Sequence, residues 1–305
     1  MNPSGSLAVL LPLGLAFIMF SLGLGLGLAD FRRVLAQPRA VVAGMVGQVV
    51  VLPAIAFSIA SGFQLGPEVA TGLMILAACP GGVTAGLVTD LARGDTALSI
   101  TLTALTSVVA FVTVPLVVGG SLVYFAGQAI LIRLPAGQLA GGLFLLTVLP
   151  VAAGMALRQW GPGLRLERPV KHLATGVFLA IVIATFVNQW DTLVRHFPTV
   201  GPATLALNLL TMAAGYGIGR LQELPTASRI AMSMECGMQN SALGITLAVS
   251  LLGAPALAIP SVVYALLMNV TALAVILLAR RDGFLVKDDP DNGTGSTGAS
   301  PRREA

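Results

Sequence analysis

The sequence predicts an all-α polytopic membrane protein with about nine transmembrane helices. Three observations lead there. Hydrophobic residues make up 56% of the chain and charged residues only 10%, with a mean hydropathy of +0.90. Soluble domains carry about 25% charged residues, so this chain cannot cover a water-facing surface. The apolar residues fall into runs near the ~20 residues that a helix needs to cross a bilayer. The basic residues lie almost all in alternate gaps between those runs. Two cysteines in 305 residues exclude a disulfide scaffold.

The first run, 7–29, has no basic residue ahead of it and is too long for a cleaved signal peptide. It is expected to be a retained span with its N-terminus outside. The runs that follow are 40–62, 68–92, 96–118, 138–158, 173–190, 202–220, 227–251 and 257–279. With this orientation the inner gaps hold Arg32, Arg33, Arg39, Arg93, Arg158, Arg165, Arg168, Lys171, Arg220, Arg229 and the basic residues from Arg280 onward. Only Arg133 and Arg195 fall outside, so 15 of the 17 basic residues obey the positive-inside rule. That distribution accounts for the high isoelectric point better than nucleic-acid binding does. Residues 281–305, rich in Asp, Gly, Ser and Thr, are expected to be a disordered cytoplasmic tail. The expected location is a bacterial-type inner or plasma membrane.

Two spans are interrupted in matching places. The third carries Cys79-Pro80-Gly81-Gly82 near its middle, where proline removes a donor and glycine relaxes the backbone. The eighth carries Glu235, Gly237, Gln239, Asn240 and Ser241 at similar depth. The odd offset between the two makes them antiparallel. Paired interruptions in two halves point to a transporter site, with half-helix N-termini favouring an anion and unwound carbonyls a cation. The expected repeat is spans one to four against six to nine. A PGG taken alone also fits a simple kink.

Glu235 is the most informative residue. A carboxylate at mid-bilayer costs about 3 kcal/mol even on lenient insertion scales. It is read as a cation ligand or proton carrier, because no basic residue shares its depth. Gln239 and Asn240 follow it, with interhelical hydrogen bonding as their plainer role. Ser99 and Thr103, four apart in span four, share a helix face. Thr101 and Thr106 are expected only to bond their own helix. Gln48 and Asn269 are isolated mid-span amides, open to either packing or binding. His172 and His196 are placed in loops, Cys79 and Cys236 border the breaks, and Asp90 is expected to pair with Arg93. The run Gly23, Gly25, Gly27 suits close helix packing better than a nucleotide loop.

CPGGVTAGLVTDLARGDTALSITLT (79–103) and ECGMQNSALG (235–244) resemble the two signature regions of the bile acid:sodium symporter family. IMFSLGLGLGLADFRRVLAQPRAVVAG (18–44) is similar to that family's early span and basic loop. The resemblance implies a transporter domain over 1–280. Its core is about 40–118 and 202–279, and its panel about 7–29 and 138–190. It further implies that the two discontinuous helices are crossed within the inverted repeats, with two sodium sites behind the crossing. Ser99, Thr103 and Glu235 match the first, together with a Ser-Asn pair. Gln48, Glu235, Gln239 and the carbonyls of Cys236 and Met238 match the second. Asn240, Asn269 and the backbone around Thr84 would contact the organic anion. The chain departs from the pattern at Ala85-Gly86, which stand where the family usually has Ser-Asn.

The expected function is sodium-coupled symport of a small organic anion, with Na+ as coupling ion and the lipid bilayer as surroundings. No enzyme chemistry, nucleic-acid binding or obligate protein partner is implied. The alternatives are a proton-coupled or uncoupled anion carrier, prompted by Ala85-Gly86, and a receptor that binds without transport. An intramembrane enzyme is disfavoured, because no mid-span histidine serves Ser or Cys.

Overall fold

The structure is a computed structural model that describes residues 3–27, 37–82, 84–126, 137, 141–142, 144–160, 162–188 and 190–280. Arg32, Arg33, Arg133 and the tail expected over 281–305 lie outside the described residues. The described chain is helical, in the order α1 (Pro3–Gly25), α2 (Pro38–Gly62), α3 (Pro67–Ala78), α4 (Ala85–Leu91), α5 (Thr96–Ser121), α6 (Phe144–Gln159), α7 (Pro162–Asn188), α8 (Trp190–Leu221), α9 (Thr226–Gly237), α10 (Ser241–Leu251) and α11 (Ile259–Arg280). Among the described residues, four stretches are long and apolar enough to cross a membrane: Pro38–Gly62, Thr96–Phe125, Phe197–Leu221 and Pro255–Ala279. Shorter apolar helices accompany them, including Pro67–Ala78 and Ser241–Leu251.

Local chemistry sets the helix ends. Pro38, Pro67 and Pro162 open their helices, where a missing N–H is harmless. Asp95 and Asn240 cap α5 and α10 through side-chain oxygens that accept from Leu98 N and Leu243 N, both at 3.0 Å. After α2, α4 and α8 the chain turns through left-handed Gln64, Arg93 and Glu223 (φ 49°, 60° and 54°). Each turn is closed by an amide reaching back five residues: Leu65 N to Ala60 O, Gly94 N to Thr89 O, Leu224 N to Gly219 O. Arg93 is thus part of a helix stop. The side chain of Asp90, expected to pair with it, instead accepts from Thr96 Oγ1 at 3.4 Å.

The interior is mostly apolar, and the outer surface is apolar too. Large apolar side chains such as Leu13, Leu116, Val123 and Val270 point outward, while Gln48, Ser99, Thr103, Asn208, Glu235 and Gln239 are buried. Lipid tails solvate apolar groups as well as a core does, so association rests on close approach and internal polar contacts. α1 packs on α6 and α7, and α8 packs on α9 and α11. At the α1–α6 contact a Cβ on Gly23 would strike Val151 O, and one on Gly154 would strike Phe20 O. Of the glycine run, Gly23 thus shows the expected close packing, whereas a Cβ on Gly25 would lie 3.9 Å from its nearest neighbour, Glu167 Oε1.

Two boundaries differ from expectation. Residues 162–172, read as a loop from their charges, begin α7 and place His172 in a helix. Residues 191–201 join the seventh run as α8, with Pro198, Pro202 and His196 inside it. Charges on a helix beyond the apolar layer, and prolines two to four turns into it, look like loop in a linear reading.

Candidate functional site: a crossing of two broken helices

α3 and α9 both end in extended backbone, at Cys79 (φ −68°, ψ 149°) and Met238 (φ −104°, ψ 93°). The two extended segments meet as an antiparallel bridge, Gly81 against Gln239. Gly82 N donates to Met238 O at 2.6 Å, and Asn240 N donates to Pro80 O at 2.9 Å. Backbone groups freed by each break are therefore satisfied by the other, as a water-free setting demands. Glycine is required here: a Cβ on Gly81 would overlap the Glu235 carboxylate, and one on Gly82 would lie 3.2 Å from Gln239 O.

Glu235 sits in the last turn of α9, 1% exposed. Ser99 Oγ donates to its Oε2 at 2.8 Å and Thr103 Oγ1 to its Oε1 at 2.6 Å. Both donors are neutral, and among the described residues no cation pairs with it. Deep burial of a carboxylate with neutral partners favours a bound cation or a proton.

Beside it, Gln48 Nε2 donates to Gln239 Oε1 at 3.2 Å, and Gln239 Nε2 donates to Cys236 O at 2.9 Å. Gln48 stands on a π-helical turn, Gly47–Val51, just ahead of Pro53. Such turns re-aim side chains and recur at functional sites. Gln48 Oε1 is buried without a partner. An orphaned amide oxygen on a side chain that bonds Gln239, four residues beyond the buried carboxylate of Glu235, suits a hard cation, which prefers oxygen. The donor set around Gln48, Glu235 and Gln239 therefore fits sodium. Ala85 and Gly86 bring no side-chain oxygen to the Ser99–Thr103 side.

Most residues singled out in the sequence come together here: Gln48, Ser99, Thr103, Glu235, Cys236, Met238 and Gln239, with Thr84 and Asn240 lining an adjoining cavity. The carbonyls of Cys236 and Met238 each already accept a hydrogen bond. Asn269 is not brought to the crossing. Its amide donates to Ala265 O in its own helix at 2.6 Å, while neighbouring Met268 faces the cavity. Thr101 and Thr106 bond their own helix, as expected.

Asn208 and Tyr264 were not singled out. Asn208 Nδ2 donates to Gly237 O (2.8 Å) and to Tyr264 Oη (3.1 Å), and Tyr264 Oη donates to Gly237 O (3.0 Å). They fasten the end of α9 to α8 and α11. One amide and one phenol in two apolar runs were the only available signal.

Three cavities border the crossing among the described residues, the smallest, about 10 Å³, lined by Gln48, Cys79 and Pro80 among others. Of the other two, one is narrow, about 30 Å³, and is lined by Gly82, Thr84, Lys171, Gln239, Asn240 and Ser241 among others. The second, about 170 Å³, is lined by Gly86, Asp90, Thr103, Glu167 and Lys171 among others.

An all-helical polytopic membrane protein with polar side chains gathered on two mutually capped helix breaks is the class that fold and site define. Residues 12–196 match the sodium bile acid symporter family model, and the chain belongs to that family, which is one of transporters rather than enzymes. It is 31% identical over 286 residues to a probable sodium/metabolite cotransporter BASS2, chloroplastic, of Oryza sativa, covering 92% of this chain and 66% of the relative. It is 28% identical to an uncharacterized sodium-dependent transporter YocS of Bacillus subtilis (84% and 78% covered). It is 34% identical to a probable sodium/metabolite cotransporter BASS1, chloroplastic, of Arabidopsis thaliana (82% and 61%). The chain thus spans slightly under two thirds of the two plant relatives.

Proposed function

We propose that the protein is a secondary active transporter that moves a small organic anion with sodium by alternating access. The observation that carries this reading is Glu235: a buried carboxylate with only the neutral Ser99 and Thr103 on it, while Gln48, whose oxygen has no partner, bonds Gln239 four residues further on. Sodium neutralises it, ties Gln48, Glu235 and Gln239 into one cluster, and so stiffens the crossing on which the anion rests. Each ligand then raises the other's affinity by the same factor. The names of the relatives, two sodium/metabolite cotransporters and a sodium-dependent transporter, support sodium as the coupling ion.

In this reading the core comprises about 40–118 and 202–279 and rocks against a panel of about 7–29 and 138–190. The close association of α1 with α6 and α7 supports that division. The turns that close α2 and α8, Gln64-Leu65 and Glu223-Leu224, each precede a broken helix and support an inverted repeat. The N-terminus lies outside and the C-terminus in the cytoplasm of a plasma-type membrane.

Sodium binding to the purified protein tests the reading. Thermal unfolding is compared in NaCl, KCl and choline chloride, for the wild type and for Glu235→Gln and Glu235→Ala. A ligand at 100 times its Kd stabilises by about 2.7 kcal/mol, a shift well within reach. The expected result is a sodium-specific rise that both variants lose. An unchanged rise in the variants, or none in the wild type, overturns it. A second reading, proton coupling, is favoured by Gly86, which lines one cavity with Thr103 and brings no side-chain oxygen to it. Uptake that persists in choline and follows the pH gradient would select it.

A further inference from the structure

The crossing cavity brings a cation to an unexpected place. Lys171 lies on α7, yet it lines both the narrow cavity at the crossing and the wider second one. Among the described residues lining the narrow cavity it is the sole charged one. Asn240 and Ser241, at the N-terminus of α10, line the same space. Asn240 is 3% exposed and Ser241 0%. The Asn240 oxygen is used in capping Leu243 N, while its Nδ2 and the Ser241 hydroxyl have no partner. An amide N–H, a hydroxyl, an ammonium and the positive end of a helix form a donor set that recognises an anion.

The acids of the second cavity are otherwise engaged. Glu167 pairs with Arg158 at 3.2 Å, and Asp90 accepts from Thr96 at 3.4 Å. Among the described residues no ion pair holds Lys171.

We propose that Lys171 is a substrate-selecting residue. Its ammonium binds the carboxylate of a small organic acid from the α7 side while Asn240 and Ser241 bind it from the α10 side. This rests on the proposed transport function and adds the group that separates an acid from its uncharged analogue. The anion then bridges two helix groups, α7 with α1 and the half-helix at the crossing. Its binding is strongest in the arrangement that brings both to one cavity.

The test uses the full chain in detergent at fixed sodium, with butyrate and succinate as probes, each against its neutral amide. Thermal shifts give apparent affinities for the wild type and for Lys171→Ala, Lys171→Gln and Lys171→Arg. At least one acid is expected to stabilise the wild type and its amide to do nothing. Lys171→Ala and Lys171→Gln should weaken acid binding about tenfold or more, and Lys171→Arg should restore it to within about threefold. The sodium shift without acid should be the same in all four proteins. Wild-type acid affinity in Lys171→Ala, equal response to acid and amide, or no response to either acid overturns the proposal. Loss of the sodium shift in the wild type is a separate failure, that of the transport reading.

Discussion

Replacing Gly81 by alanine should weaken sodium binding by about 30-fold. The new Cβ would overlap Glu235 Oε1, the oxygen held by Thr103 at 2.6 Å, but would lie 3.2 Å from Oε2, the oxygen held by Ser99 at 2.8 Å. The Cβ would also lie 2.5 Å from the carboxyl carbon, so the whole carboxylate has to shift and at least the Thr103 bond is lost. A hydrogen bond to a charged group contributes about 1.5–3 kcal/mol, and about 2 kcal/mol corresponds to roughly 30-fold in affinity. The assay is sodium titration by thermal shift on monodisperse protein. Thr103→Val removes the same bond without touching the backbone and should give a similar loss. Gly62→Ala, where a Cβ meets nothing within 4 Å, should leave affinity unchanged. Wild-type sodium affinity in Gly81→Ala, or in Thr103→Val, would refute the reasoning.

Other consequences are as direct. Tyr264→Phe and Asn208→Ala should each lower stability by about 1 kcal/mol or more, because each removes two of the three hydrogen bonds that join them to one another and to Gly237 O. Their effects should be non-additive in a double-mutant cycle read by thermal unfolding. Ala85→Ser with Gly86→Asn should raise apparent sodium affinity in uptake assays by restoring two oxygens. It requires the Ile100 side chain to shift, because a Cβ at position 86 would lie 3.1 Å from it. Gly154→Ala should destabilise by about 1–3 kcal/mol through its clash with Phe20 O, lowering the midpoint of thermal unfolding with no change in sodium affinity.

The breaks were legible because Pro80 and Glu235 violate an apolar background that otherwise has few exceptions. Ser99 and Thr103 were legible from four-residue spacing, since one helix face carries both to the same carboxylate. Membership in the family rested on the same strings. Asn269 shows the limit: depth is readable from position in a run, but which way a side chain faces is set by how the helix is rotated in its packing. Asn208 and Tyr264 were invisible for the converse reason, as single polar groups that look like ordinary members of an apolar helix. Helices α7 and α8 were cut short because apolar runs report the lipid layer, whereas hydrogen bonding continues past it.

The backbone bridge between Gly81 and Gln239 also bears on how the chain is made. Gln239 follows Gly81 by about 160 residues. At roughly 5–20 residues per second, the second break leaves the ribosome roughly 8–30 s after the first. Through that interval Gly82 N and Pro80 O have no partner from the other half. Bare peptide groups are unfavourable in hydrocarbon, so the first half must wait at the interface, in the insertion machinery, or against a chaperone. Biogenesis of this protein is therefore a joint event: neither half completes its membrane insertion until the other has been synthesised.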